Sequence, residues 1–122
     1  MTIQIKRVYD TPVSEDGYRV LVDRLWPRGL SKERAAVKEW LKETAPSTGL
    51  RQWFGHNPIR WLEFKHRYMT ELKAPAAQNS VEHLRFLASK GKVTLLYAAK
   101  DEICNNAEIL REYLMKTKEG GL

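Results

Sequence analysis

The sequence predicts an α/β fold: a single small three-layer domain with a short, mostly parallel sheet flanked by helices. Three observations carry this. Two segments near the N-terminus, TIQIKRVY (2–9) and YRVLVDRL (18–25), are rich in β-branched and aromatic residues. A short apolar run, KVTLLYA (92–98), follows a helix-like stretch, the pattern of a parallel strand buried on both faces. The remaining long segments place apolar residues at helical spacing, and strands interleaved with helices build a helix-covered sheet.

Taken in order, residues 2–9 alternate Ile3, Ile5 and Arg7 against Gln4 and Lys6, as a strand does. Residues 10–17, DTPVSEDG, carry turn chemistry. A second strand over 18–25 is expected to end near Asp23–Leu25. The turn is short for a parallel crossover, which leaves an antiparallel pairing open. Ser31 is placed to cap a short helical turn through Arg34. Residues 36–43 are ambiguous: Val37, Trp40, Leu41 and Thr44 fit helical spacing, but Pro46 and Ser47 follow closely. Ser47 caps a short helix with Leu50, Trp53 and Phe54, closed by Gly55. Asn57-Pro58 restarts the chain as a helix, because proline's missing N–H costs nothing at the first helical position. Trp61, Phe64, Tyr68 and Leu72 form one apolar stripe. Pro75 is expected to end that helix, Ser80 to cap the next, and Gly91 to close it. Asn105 or a neighbour opens a last helix with Ala107, Leu110 and Leu114 inward, and a Gly120-Gly121 tail expected to fray.

The chain has 122 residues, the length of one domain, with an ordered core expected over about residues 2–117. At 43% hydrophobic and 30% charged residues, the composition belongs to a soluble globular chain and excludes a disordered one. No run approaches the ~18 apolar residues of a membrane span, and the N-terminus lacks the apolar core of a signal peptide. The single cysteine, Cys104, cannot form an internal disulfide. These features point to a cytoplasmic setting and no membrane partner. The net charge of +6 suits anionic partners, either small molecules or nucleic acid.

The stretch LVDRLWPRGLS (21–31) departs from ordinary strand chemistry. Charges at Asp23 and Arg24 stand where a strand should end, and Trp26-Pro27-Arg28-Gly29 follow. Ligands of parallel sheets bind outside the carboxyl ends of strands. The late strand ends similarly, in Lys100-Asp101 leading to Asn105-Asn106. If the two strands are neighbours, Asp23, Arg24, Arg28 and Lys100 converge on one rim, where guanidiniums offer forked donors to a carboxylate or phosphate. Amides at the last helix, around Asn105, add to an anion site. His56, between Gly55 and Asn57, is the best-placed acid–base group, because imidazole titrates near neutral pH. Asp23 is its candidate catalytic partner. The blander reading makes Asp23 and Arg28 an ion pair that holds the turn, Trp26 a core residue and His56 a surface residue. His66 and His83 read as surface residues on helices. Cys104 alone is weak support for a nucleophile. The dispersed histidines show no metal-ligand spacing. Neither a Walker A pattern nor G-x-G-x-x-G occurs, so no cofactor is expected.

The segments IKRVYD, GYRVLVDRLWPRGLSKE, WLKETAPS, LRQWFGHNPIRWLEFKHRY and LLYAAKDEICNNA together resemble the bacterial YeaO-like proteins, in the family called domain of unknown function 488. The resemblance spans about residues 3–116, with DRLWPRG and WFGH-x-P as its specific blocks. It implies a small α/β fold with a short, mostly parallel sheet, and a strand rather than a helix over 36–43. It implies no established activity. Some relatives carry a cysteine at the end of the late strand. Here that stretch is Tyr97-Ala98-Ala99-Lys100, which argues against thiol chemistry.

The first functional expectation is therefore a pocket for a phosphate- or carboxylate-bearing small molecule, with enzymatic turnover left open. Arg24, Arg28, Lys100 and Asn105 would hold the anion; of the catalytic candidates Asp23 and His56, Asp23 would orient the cations and His56 would act as general acid or base. The alternatives are a nucleic-acid-binding accessory protein, whose affinity would fall steeply with salt, and a non-catalytic interaction module. Nothing in the sequence gives the oligomeric state.

Overall fold

A computed structural model of the chain describes residues 2–120. Four strands form one sheet in the order β1-β4-β2-β3: β1 Ile3–Arg7, β2 Tyr18–Leu21, β3 Glu39–Trp40 and β4 Val93–Tyr97. Every pairing is parallel. β4 is central, with Val93 in register with both Ile3 and Tyr18. This settles the relation left open in the sequence. β1 and β2 do not form a hairpin, because β4 inserts between them and pairs with both. The connection can be short because it carries a 3-10 turn, Ser14–Asp16, and then a tight reversal at Gly17. Gly17 takes φ +66, and a β-carbon there would meet the Lys92 carbonyl oxygen at 2.5 Å. Only glycine permits that approach, which lets the Tyr18 N–H donate to Lys92 O at 2.9 Å.

The helices are α1 Lys32–Ala35, α2 Thr48–Phe54, α3 Trp61–Lys73, α4 Pro75–Lys90 and α5 Asn106–Gly120. One sheet face presents Ile3, Val20, Val93, Leu95 and Tyr97 to the main core, with Phe64, Tyr68 and Leu72 of α3, Val81 and Leu84 of α4 and Leu110 and Leu114 of α5. Side chains alternate across a strand, so Leu21 and Leu96 point the other way and join Val8 and Ala35 in a smaller cluster. The sheet thus lies between a thick helical layer and a thin layer made by the 8–17 connection and α1. No helix is long and apolar enough to cross a membrane among the described residues.

Local signals set several helix starts. Ser31 accepts from Arg34 N–H, Ser47 from Leu50 N–H and Asn57 from Ile59 N–H. Gly55 closes α2 in the left-handed region. Four expectations need correction. The second strand stops at Leu21 rather than near Asp23–Leu25, because its partner β3 is only two residues long and the chain turns away after it. The strand expected over 36–43 shortens to Glu39–Trp40, flanked by bonds from Lys38 N–H to Arg19 O and from Leu41 N–H to Leu21 O, both 2.9 Å. Pro75 opens α4 instead of merely ending α3; Ala74 takes the extended backbone that precedes proline, and Ser80 lies inside the helix. His83 is no plain surface residue: its Nε2 lies 2.9 Å from Glu39 Oε1 and ties α4 to β3. The tail expected to fray reaches Gly121, which lies outside the described residues; α5 runs to Gly120.

Candidate functional site

β2 and β4 are neighbours, so the two polar strand ends meet. A cavity of about 730 Å³ opens there, within the range of small-molecule sites. Asp23, Arg24, Arg28, His56, Lys100 and Asn105 all line it. The sequence expectation of one shared rim is therefore met in space, but the six residues stand in different chemical situations.

Asp23 follows β2 and faces both β4 and α5. Its Oδ2 accepts from Ala98 N–H at 2.9 Å, and its backbone carbonyl accepts from the Trp40 indole N–H at 2.7 Å. Burial pushes its carboxyl up; the Ala98 N–H, the Asn106 amide and the Arg51 charge pull the other way without cancelling it. Asp23 is half-buried, and the cation that bears on its carboxylate is Arg51 rather than Arg28. Behind it, the buried Tyr68 hydroxyl donates to Thr44 O. Burial holds that phenol well above its ordinary value, and the Asp23 charge adds to the shift.

Two of the expected anion-holding residues are already bonded into the fold. Arg24 donates from Nε to Pro46 O at 3.2 Å and from Nη2 to Ala45 O at 3.1 Å. Asn105 is buried and caps α5: its Oδ1 accepts from Glu108 N–H at 2.9 Å, and its Nδ2 donates to Asp101 O at 3.1 Å. Arg28 and Lys100 differ. Both are exposed on the cavity wall, and among the described residues no hydrogen bond or ion pair holds either cationic group. Only the Arg28 carbonyl is engaged, by the Tyr9 hydroxyl at 2.9 Å.

His56 is exposed, with φ +57, directly after left-handed Gly55. A non-glycine residue in that region carries strain that its surroundings must hold. Its ring lies 6.0 Å from Phe54, and its charge helps hold the Asp101 carboxyl low. The larger causes of that low value are the Cys104 and Ile103 N–H groups, both 2.9 Å from Asp101 Oδ1. Cys104 also lines the cavity. Burial, with the Asp101 charge, pushes its thiol up, so the thiolate is disfavoured.

Sequence reasoning missed two residues that matter here. Arg51, on the exposed side of α2, lines the cavity; the fold of α2 against the sheet end, not any local motif, brings it there. Asn106, next to the expected Asn105, lies against Asp23 and donates to Val22 O at 3.1 Å. A doublet of asparagines at a helix start signals only that one of them caps.

The description "Inactive DUF488-N3 subclade" matches residues 2–120. The chain is 46% identical to Uncharacterized protein YeaO of Escherichia coli K12 over 116 residues, covering 93% of this chain and 97% of that protein. It is 39% identical over 112 residues to Uncharacterized protein Mb3100c of Mycobacterium bovis and to Uncharacterized protein Rv3073c of Mycobacterium tuberculosis, each covering 92% of both chains. No solved structure matches. With residues 23–28 of the DRLWPRG block lining the cavity, and the match running nearly end to end, the chain belongs to the YeaO-like proteins of the DUF488 family, in the subclade described as inactive.

Proposed function

We propose that this protein binds a phosphate- or carboxylate-bearing small molecule in the cavity beyond β2 and β4, as a binding module without covalent turnover. One observation carries the reading. Arg28, Arg51 and Lys100 line a single cavity with no protein hydrogen bond or ion pair on their cationic groups among the described residues. Cations held over a common space without a hydrogen-bonded or ion-paired protein partner are suited to an anion supplied from outside. Arg24 and Asn105 then support the walls. Two points favour binding over catalysis. The cavity thiol is shifted away from its nucleophilic form, and the subclade is described as inactive.

The test is thermal unfolding with inorganic pyrophosphate, citrate, ribose 5-phosphate and guanosine 5′-monophosphate as probes. A ligand that binds only the folded chain at about 100 times its Kd stabilises it by about 2.7 kcal/mol. At least one probe is expected to raise Tm, and the rise should be lost in an Arg28→Ala, Arg51→Ala double variant. The reading fails if no probe shifts Tm, or if the double variant responds like the unmutated protein.

A further inference from the structure

The cavity is polarised, and the polarity selects among anions. Its cations stand at the mouth: Arg28, Arg51 and Lys100 are all exposed. Its deep wall holds a carboxylate, Asp23, at the junction of β2, β4 and α5. A ligand that is anionic throughout, and large enough to fill the space, would press negative charge against a half-buried carboxylate. Repulsion between like charges is strongest where water is excluded. The occupant therefore needs opposite chemistry at its two ends: an anion outward and a hydrogen-bond donor inward.

An acceptor count on Asp23 points the same way. An ionised carboxylate offers about four lone-pair positions and no donor. Ala98 N–H takes one, and the Asn106 amide bears on another. Partial burial raises the carboxyl, and the Ala98 N–H and the Asn106 amide do not cancel that, so acceptor capacity remains on the side facing the cavity. A donor arriving with a ligand would lower that cost, because hydrogen bonds to a charged group are short and strong.

The walls decide what kind of donor fits. An ammonium group carries three donors and needs several acceptors around it. The other carboxylate on this cavity, Asp101, is already engaged by two backbone N–H groups. Apolar and aromatic side chains line the same cavity: Phe54, Phe64, Trp26, Pro27 and Pro46. An aromatic-rich lining favours a planar ring that presents an N–H along its edge, since aromatic rings gain from packing on one another.

We propose, building on the anion-binding reading above, that the cavity takes a nucleoside monophosphate with its base inward: a base N–H donates to Asp23, and the phosphate sits at the mouth on Arg28, Arg51 and Lys100. No bond is made or broken in this role. The protein would sense or hold a free nucleotide by reading both its base edge and its charge.

Calorimetric titration of the full chain tests this with three probes: guanosine 5′-monophosphate, its N1-methyl derivative and ribose 5-phosphate. The nucleotide should bind about tenfold or more tighter than ribose 5-phosphate, and methylation of the base N–H should remove most of that advantage. Asp23→Asn should lose the preference for the nucleotide while keeping affinity for ribose 5-phosphate. The Arg28→Ala, Arg51→Ala double variant should weaken both ligands by a similar factor. The methylated probe needs no mutation, so the test stands even if Asp23→Asn folds poorly. Equal affinities for all three probes would overturn the base-inward assignment while leaving the anion site intact. Failure of every probe to bind would instead remove the anion site itself.

Discussion

Two aspartates bracket β2, and the protein treats them in opposite ways. Asp16, two residues before the strand, is buried and fully engaged. Arg19 Nη1 reaches its Oδ2 at 2.6 Å, Lys6 Nζ lies 3.1 Å from both oxygens, and Val13 N–H donates to it at 3.1 Å. Burial pushes its carboxyl up, but Val13, Lys6 and Arg19 outweigh that and hold it below the ordinary range. Asp23, two residues after the strand, has no cation in contact among the described residues, and its carboxyl stands above that range. The first carboxylate contributes stability; the second reduces it and faces a cavity. A carboxyl that is raised by burial and lines an open space fits the ligand-binding role proposed for this cavity, whereas Asp16 fits a scaffold role.

The largest expected effect comes from breaking the satisfied aspartate. Arg19 also donates to Ala35 O at 2.7 Å and Ala36 O at 3.2 Å, so Asp16 completes the link from the 3-10 turn to the end of α1. Asp16→Ala leaves the buried guanidinium without its counter-charge, and removing one partner of a buried pair costs about 3–5 kcal/mol. Urea unfolding should show that loss, which is a large part of a small domain's total. A loss below about 1 kcal/mol would mean that the two backbone carbonyls suffice for Arg19. Gly17→Ala, beside it, should cost more than about 1 kcal/mol, from positive φ and the close Lys92 carbonyl together.

Asp23→Asn should act in the opposite direction. It removes a half-buried charge yet keeps an oxygen for Ala98 N–H, so stability near neutral pH should rise by about 1 kcal/mol while the preference for the nucleotide over ribose 5-phosphate is lost. The pH dependence separates the two aspartates. Asp23 binds its proton more tightly folded than unfolded, so its penalty is full above its raised folded pKa and fades as pH falls through that value. The advantage of Asp23→Asn should therefore shrink on mild acidification. Asp16 binds its proton less tightly folded. Its contribution is full above the ordinary carboxylate value and is lost only as pH falls through its lowered folded pKa. Chemical denaturation across the acid range should show the Asp23 difference closing at a higher pH than the Asp16 contribution. Closure in the reverse order would overturn the comparison.

The same contrast explains what could be read from the sequence. Local chemistry was legible: Ser31, Ser47 and Asn57 cap where their side chains can reach the next turn, and the apolar run of β4 announced a central parallel strand. The rim was legible because β2 and β4 both end in charged residues. Which rim residues remain available was not. Arg24 is held by carbonyls 21 and 22 residues away, and Arg51 reaches the cavity only through the packing of α2. β3 was hard to place because its two residues are defined by bonds to β2, not by their own pattern. Pro75 ends α3 as its sequence suggests, but the start of α4 is hidden because proline serves equally as a helix stop and as the first position of the next helix, which leaves Ser80 inside it.

The smallest effect tests whether the strained corner of the cavity belongs with Asp23 or with Asp16. His56 sits at φ +57 after left-handed Gly55, and its ring is exposed on the cavity wall. Among the described residues no side-chain hydrogen bond repays that backbone strain. His56→Gly should therefore stabilise the chain, or leave it unchanged, within about 1 kcal/mol. If His56 is part of the ligand surface, the same substitution should weaken guanosine 5′-monophosphate binding in the titration above. Paired melting and titration distinguish the cases. Weaker binding at equal or higher stability groups His56 with Asp23, as a residue kept for the ligand at a cost to the fold. A loss of more than about 1 kcal/mol would group it with Asp16, as a structural residue whose ring packing on Phe54 outweighs its backbone strain.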